Sequence, residues 1–186
     1  MAAPRNLTIP AGLLLALALC APIAGCGYRI AGSMGRLPGG AQSLGIPTLR
    51  NLTNQHGIEQ TLTAALLEEF SLRTPGRVDS RPTGTDAVLM GEIVEITSTP
   101  VTFGTEQAGS RTFGTSFVIT VRSNLRLVRP DDSAVLWQST DLVFRERYAL
   151  NASIADFFSE ENPALKRLAR AFAASVAGAV LERASP

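Results

Sequence analysis

Apolar and polar positions change period several times along the chain, and each change predicts an element. The run Ala11 to Ala21 is uncharged and apolar on every side, with no helical stripe. A Gly/Ser-rich stretch, Ala31 to Gly40, follows. Leu44, Ile46 and Leu49 then predict a strand over Ser43 to Leu49. Asn51-Leu52-Thr53-Asn54 has turn chemistry, with Asn54 as a helix cap. From Ile58 to Leu72 the period becomes helical: Ile58, Leu62, Ala65, Leu66 and Phe70 share a face, and Pro75-Gly76 stops it. A short strand is expected around Arg77 to Asp79.

Asp86 to Thr97 reads as a strand of untidy alternation, because Val88, Met90, Val94 and Ile96 oppose Leu89 and Ile93. Either both faces are covered at one end or Gly91 marks a bulge. Thr102 to Gly114, rich in Gly and Thr, reads as a long hairpin loop. The clearest alternation runs from Thr115 to Arg129, with Phe117, Ile119, Val121, Leu125 and Leu127 inward and Val118, Thr120, Arg122, Asn124 and Arg126 outward. After the turn Pro130-Asp131-Asp132-Ser133, a partner strand is expected from Ala134 to Tyr148. A symmetric turn would set Leu127 opposite Leu136, Val121 opposite Leu142, Ile119 opposite Phe144 and Arg122 opposite Asp141.

A short helical turn is expected within Asn151 to Phe158. The last helix should begin with Asn162 as cap and Pro163 at its first position, with Leu165, Leu168, Ala169, Phe172, Val176 and Val180 as its stripe. The element order gives an α+β fold: a small, mostly antiparallel sheet of about four strands with two helices packed on one face.

Composition changes the reading of the first segment. Arg5 and the amino terminus precede the apolar run, and Ile23-Ala24-Gly25-Cys26 closes it in the pattern of a bacterial lipobox. This is the layout of an export signal. A membrane-spanning helix needs about 20 apolar residues, whereas Pro10 and Pro22 bracket a shorter segment. Cys20 lies within the apolar run without a small residue before it. The expected organisation is therefore a removed signal over 1–25, a lipidated linker over 26–42 anchored at Cys26, and one domain over 43–186. Both cysteines lie in the N-terminal segment, so that domain can form no disulfide.

The formal net charge of +1 argues against a nucleic-acid binder. With His56 the sole histidine, a metal site would need carboxylates alone, and no metal or cofactor is expected. His56 sits in a polar turn, where solvation is the favoured role over a general base. No glycine-rich phosphate fingerprint occurs, so no catalytic residue is assigned. Lys166 is the only lysine, so anions would meet planar guanidinium groups. No Asp or Glu precedes Glu59, which leaves Arg29, Arg36 and Arg50 either as a cationic patch beside a membrane or as ordinary solvated side chains. The outward hairpin face should display Arg122, Arg126, Arg145 and Arg147, either to bind lipid phosphates or to keep a sheet face soluble.

Several segments together resemble the LptE family of lipopolysaccharide-assembly lipoproteins. They are Cys26-Gly27-Tyr28-Arg29-Ile30-Ala31-Gly32, Leu37-Pro38, Gly45-Ile46-Pro47 and Asn51-Leu52-Thr53. Asp86-Ala87-Val88-Leu89-Met90-Gly91-Glu92-Ile93 is similar to a family strand, and Val135-Leu136-Trp137 with Phe144-Arg145-Glu146-Arg147-Tyr148 extends the match. The resemblance implies a non-enzymatic protein that plugs and stabilises the LptD β-barrel of the outer membrane and handles lipopolysaccharide. Gly27 after the cysteine, rather than Asp, agrees with outer-membrane sorting. The family supplies no sharp motif for lipopolysaccharide contacts; Arg111, Arg122 and Arg126 are candidates from charge and position. An auxiliary lipoprotein of another export machine, of the curli type, is the alternative, and a periplasmic hydrolase the remote third.

Overall fold

In a computed structural model the described residues are 36–105, 112–149 and 157–183. Cys26, the 1–25 signal and Arg111 lie outside them, as does most of the helical turn expected within Asn151 to Phe158.

The domain is α+β with a six-stranded mixed sheet. Its strands are β1 (Leu44–Gly45), β2 (Arg50–Asn51), β3 (Val78–Asp79), β4 (Ala87–Thr105), β5 (Thr112–Val128) and β6 (Val135–Ala149). The helices are α1 (Ile58–Arg73) and α2 (Phe157–Glu182). The order across the sheet is β3-β1-β4-β5-β6, and β2 pairs with β4. The pairs β1–β3, β1–β4 and β2–β4 are parallel, while β4–β5 and β5–β6 are antiparallel. The sheet is thus larger than the expected four strands. The Ser43–Leu49 segment yields only β1, and β2 starts after Pro47, which has no N–H to give a ladder.

Helix α1 buries Ile58, Leu62, Ala65, Leu66 and Phe70, as its period predicts. Its cap differs from expectation. The helix begins after Gly57, which takes the left-handed φ of 86°, and Asn54 does not cap it. The helix starts at Ile58 as expected, and Asn51 holds the turn before it: its amide donates to the Gln55 carbonyl and to Glu59 Oε2, both at 2.8 Å, so the turn is pinned to the first helical residues. At the other end the Thr74 N–H and hydroxyl both donate to the Phe70 carbonyl at 2.7 Å.

Helix α2 starts earlier than expected, at Phe157, and Pro163 lies inside it. The proline withholds one N–H from the Ser159 carbonyl without ending the helix. Leu165, Leu168, Ala169, Phe172, Val176 and Val180 are buried as predicted. The two helices pack on each other, and α2 also lies against β6. Phe144 meets Phe172 edge-on with ring centres 5.2 Å apart, and the core joins both helices to the inner faces of β4, β5 and β6.

The untidy alternation of β4 is resolved by a bulge at Val94 rather than Gly91. Ile93 pairs with Ser123 and Glu95 with Arg122, leaving Val94 extra, so Ile96 rejoins the face of Leu89 and Ile93. Gly91 serves close approach instead: a Cβ there would collide with the Leu125 side chain and stand 2.9 Å from the Asn124 carbonyl. The expected loop Thr102 to Gly114 is shorter, because β4 continues to Thr105 and β5 begins at Thr112.

The β5–β6 register also departs from the symmetric turn. Leu127 faces Trp137, Val121 faces Phe144, Ile119 faces Glu146 and Arg122 faces Val143. Two extra residues on β6 cause this, one beside the turn and one between Ser139 and Leu142. Beyond the second bulge the net slip of two keeps Leu142 and Phe144 on the inward side, whereas between the bulges the slip is one and Trp137 takes the inward place expected of Leu136.

Candidate functional site

The outer face of β4–β5–β6 carries the hairpin arginines, and the bulges decide their surroundings. Asp141 sits in the second β6 bulge with a φ of 57°, its N–H donating to Asn124 Oδ1 at 2.8 Å. From there its carboxylate reaches Arg122, although Val143 is the ladder partner of that arginine. Arg122 donates to Asp141 Oδ1 from Nε at 2.9 Å and from a terminal nitrogen at 2.6 Å, and to Glu95 Oε2 at 3.4 Å. Asp141 and then Glu95 hold its guanidinium even more firmly charged than usual. Arg122 therefore ties three strands together, and two carboxylates compensate its charge.

Arg126 is different. It is exposed, opposite Met90 on β4 and Gln138 on β6. It lines a groove of about 500 Å³ with Thr48, Arg50, Met90, Glu92 and Gln138. In that groove Arg50 is paired with Glu92 at 3.2 Å. Farther along, Arg145 and Arg147 are exposed opposite Thr120 and Val118. Among the described residues Arg126, Arg145 and Arg147 join no ion pair. The structure thus brings Arg122 and Arg126 onto one face but gives them unlike electrostatics.

Residues in the resembling motifs prove to be structural ties. The Asp86 carboxylate accepts from the Gln42 N–H at 2.8 Å and from the Ser43 N–H and hydroxyl at 3.0 Å, while its own N–H donates back to Ser43 Oγ at 2.9 Å. The Gln42 N–H and then the Ser43 hydroxyl hold this carboxyl below the usual aspartate range. Asn51 Oδ1 accepts from the Thr53 N–H and hydroxyl at 2.9 and 2.7 Å. Glu59, bonded by its own N–H, Asn51 and Gly57, likewise titrates low. Tyr148 is buried, stacks on Phe117 with centres 5.4 Å apart, and its hydroxyl lies 3.1 Å from that of Ser98. The Asn51–Thr53 bonds belong to the turn that the sequence predicts, whereas the Asp86 and Tyr148 ties join residues 43 to 50 positions apart and left no sign in residue type.

His56 is exposed in the turn before α1. Among the described residues no group of three or more His, Cys, Asp or Glu could hold a metal ion, and no helix is long and apolar enough to cross a membrane.

The model of the LptE family, described as "Lipopolysaccharide-assembly", matches residues 41–177. No curated protein matches the chain. Among solved structures, a PelC dodecamer from Paraburkholderia phytofirmans is 13% identical with a TM-score of 0.46, covering 75% of this chain and 87% of its own. An uncharacterized lipoprotein B from Nitrosomonas europaea is 14% identical at a TM-score of 0.46, covering 82% and 91%. A minor lipoprotein from Acinetobacter baumannii is 9% identical at 0.41, covering 74% and 90%.

Proposed function

We propose that this chain, which belongs to the LptE lipopolysaccharide-assembly family, is an outer-membrane lipoprotein that plugs and stabilises an LptD-type β-barrel and assists lipopolysaccharide transport to the cell surface. The family match over residues 41–177 carries the reading. In this reading residues 1–25 are removed, Cys26 receives the acyl chains, and residues 26–42 tether the domain to the periplasmic face. The role is docking rather than turnover, and no catalytic residue or cofactor enters it.

Lipopolysaccharide phosphates meet the outer face of the sheet. Arg126 is the foremost candidate there because it joins no ion pair among the described residues, Glu92 of its groove being paired with Arg50; Arg122 contributes through the strand tie it makes, and Arg111 completes the candidate set. Replacing Arg126 by Gln should lower lipopolysaccharide retention without moving the melting temperature, since exposed strand positions change stability little; unchanged retention would reject the assignment.

A tagged pull-down from outer membranes followed by mass spectrometry tests the function itself. A large β-barrel should co-purify in near-equal amount. A homo-oligomeric ring, or the components of another export machine, would replace this reading with the alternative.

A further inference from the structure

A second cluster of arginines lies at the opposite end of the sheet from the β4–β5 hairpin tip, and the proposed role does not use it. Arg36 stands where the tether enters the domain, Arg77 follows the turn after α1, and Arg183 follows the end of α2. All three line one cavity of about 810 Å³ together with Gly39, Gly40 and Gln42. Among the described residues no carboxylate lines it, and none of the three arginines joins an ion pair. The nearby acids are engaged elsewhere: Asp86 by Gln42 and Ser43, Asp79 by Arg81 at 3.2 Å, and Glu69 by Arg73 at 2.6 Å. Glu182 is exposed beside Arg183 in sequence but does not line the cavity.

The backbone leaves room beside these side chains: Gly39 and Gly40, both lining the cavity, take left-handed φ values of 68° and 77°, and a Cβ at Gly40 would meet nothing within 4 Å. Guanidinium groups from three separate elements, with a two-glycine turn between them, suit a phosphate diester better than a carboxylate-bearing peptide, because phosphate accepts planar paired donors from several directions.

Position names the source of that phosphate. Cys26 precedes Arg36 by ten residues, so a fully extended tether reaches at most about 35 Å. We propose that Arg36, Arg77 and Arg183 form a binding site for the phosphodiester headgroup of an anionic phospholipid in the leaflet that holds the anchor, orienting the tethered domain with its hairpin away from that leaflet. The orientation rests on the anchoring of Cys26 proposed above; the pocket does not.

The test uses the whole protein purified in a maltoside detergent and titrated with dihexanoyl-phosphatidylglycerol, reading the amide NMR signals of Gly39 and Gly40. Saturable shifts are expected, with affinity falling about tenfold for each arginine replaced by Gln and binding lost in R36Q/R77Q/R183Q. Absence of saturation, or shifts that persist in the triple variant, would overturn the site. Equal binding of inorganic phosphate would make it a free-anion site, and tighter binding of lipopolysaccharide would make it part of the cargo path; either result overturns the leaflet assignment. If the triple variant melts early, the single variants R36Q and R183Q, both at exposed positions, give the same readout. Acylation of Cys26 is measured separately, by the mass of the N-terminal peptide, so failure of the anchor and failure of the pocket are distinguishable.

Discussion

The β4–β5 ribbon passes through two unlike surroundings. At one end, Leu89 and Ile93 of β4 and Ile119, Val121, Leu125 and Leu127 of β5 are buried under the helices. Beyond Ile96, every β4 residue from Thr97 to Phe103 is exposed, including Val101 and Phe103, the latter at 60%. The antiparallel ladder continues across this boundary; on β5 and β6 the packing runs a little farther, to Ile119 and to Tyr148, which is buried against Phe117 opposite Pro100. A strand of this length spans about 60 Å, far more than the helix layer needs. The packed half makes the domain; beyond it, Val101 and Phe103 lie on a paired ribbon and are left exposed by the described residues. These two apolar side chains are where the docking role proposed above would make its contact.

Truncations at the two ends should separate them most sharply. Phe172→Ala, in the packed half, removes a fully buried ring that meets Phe144 and should cost about 3–5 kcal/mol in chemical denaturation. Phe103→Ala should cost less than about 0.5 kcal/mol while weakening recovery of the barrel partner. Comparable losses of stability at both positions would erase the distinction between scaffold and docking element.

The packed half also contains a flaw that can be repaired. Ser123 is fully buried between Ile93 and Leu142, and its hydroxyl has no hydrogen-bond partner among the described residues. Ser123→Ala should therefore stabilise the domain by about 1 kcal/mol. A loss of stability would show that the hydroxyl has a partner in solution.

The sequence showed which half was which only in part. Faces were legible because side-chain alternation is local: Leu127, Val121 and Phe172 are inward as their periods require. Register was not legible, because the two extra residues on β6 leave no mark beyond Asp141 and its left-handed backbone. The expected contact of Arg122 with Asp141 forms, but through the bulge rather than the ladder pairing expected for it, and the second acid, Glu95, was not foreseen. The length of the hairpin was missed because Gly104, Thr105 and Gly114 read as loop, although backbone pairing carries them in the ladder.

The smallest effect concerns the junction where the packed half begins. Asp86, which clasps β1 to the start of β4, has a carboxyl depressed by the Gln42 N–H and the Ser43 hydroxyl. A folded value below the unfolded one, about 3.9, stabilises the fold above that pH and loses the contribution as pH falls through the folded value. Asp86→Asn should flatten the acid limb of a stability–pH curve and leave the neutral region nearly unchanged. An identical acid limb in the variant would remove Asp86 from that role.

Site-specific photocrosslinking in intact outer membranes compares the two halves directly. A benzophenone side chain at position 103, on the projecting ribbon, should give an adduct with an outer-membrane β-barrel, in several-fold excess over the same probe at exposed position 170 of α2. No barrel adduct at position 103, or an adduct at position 170 alone, would contradict docking through the hairpin.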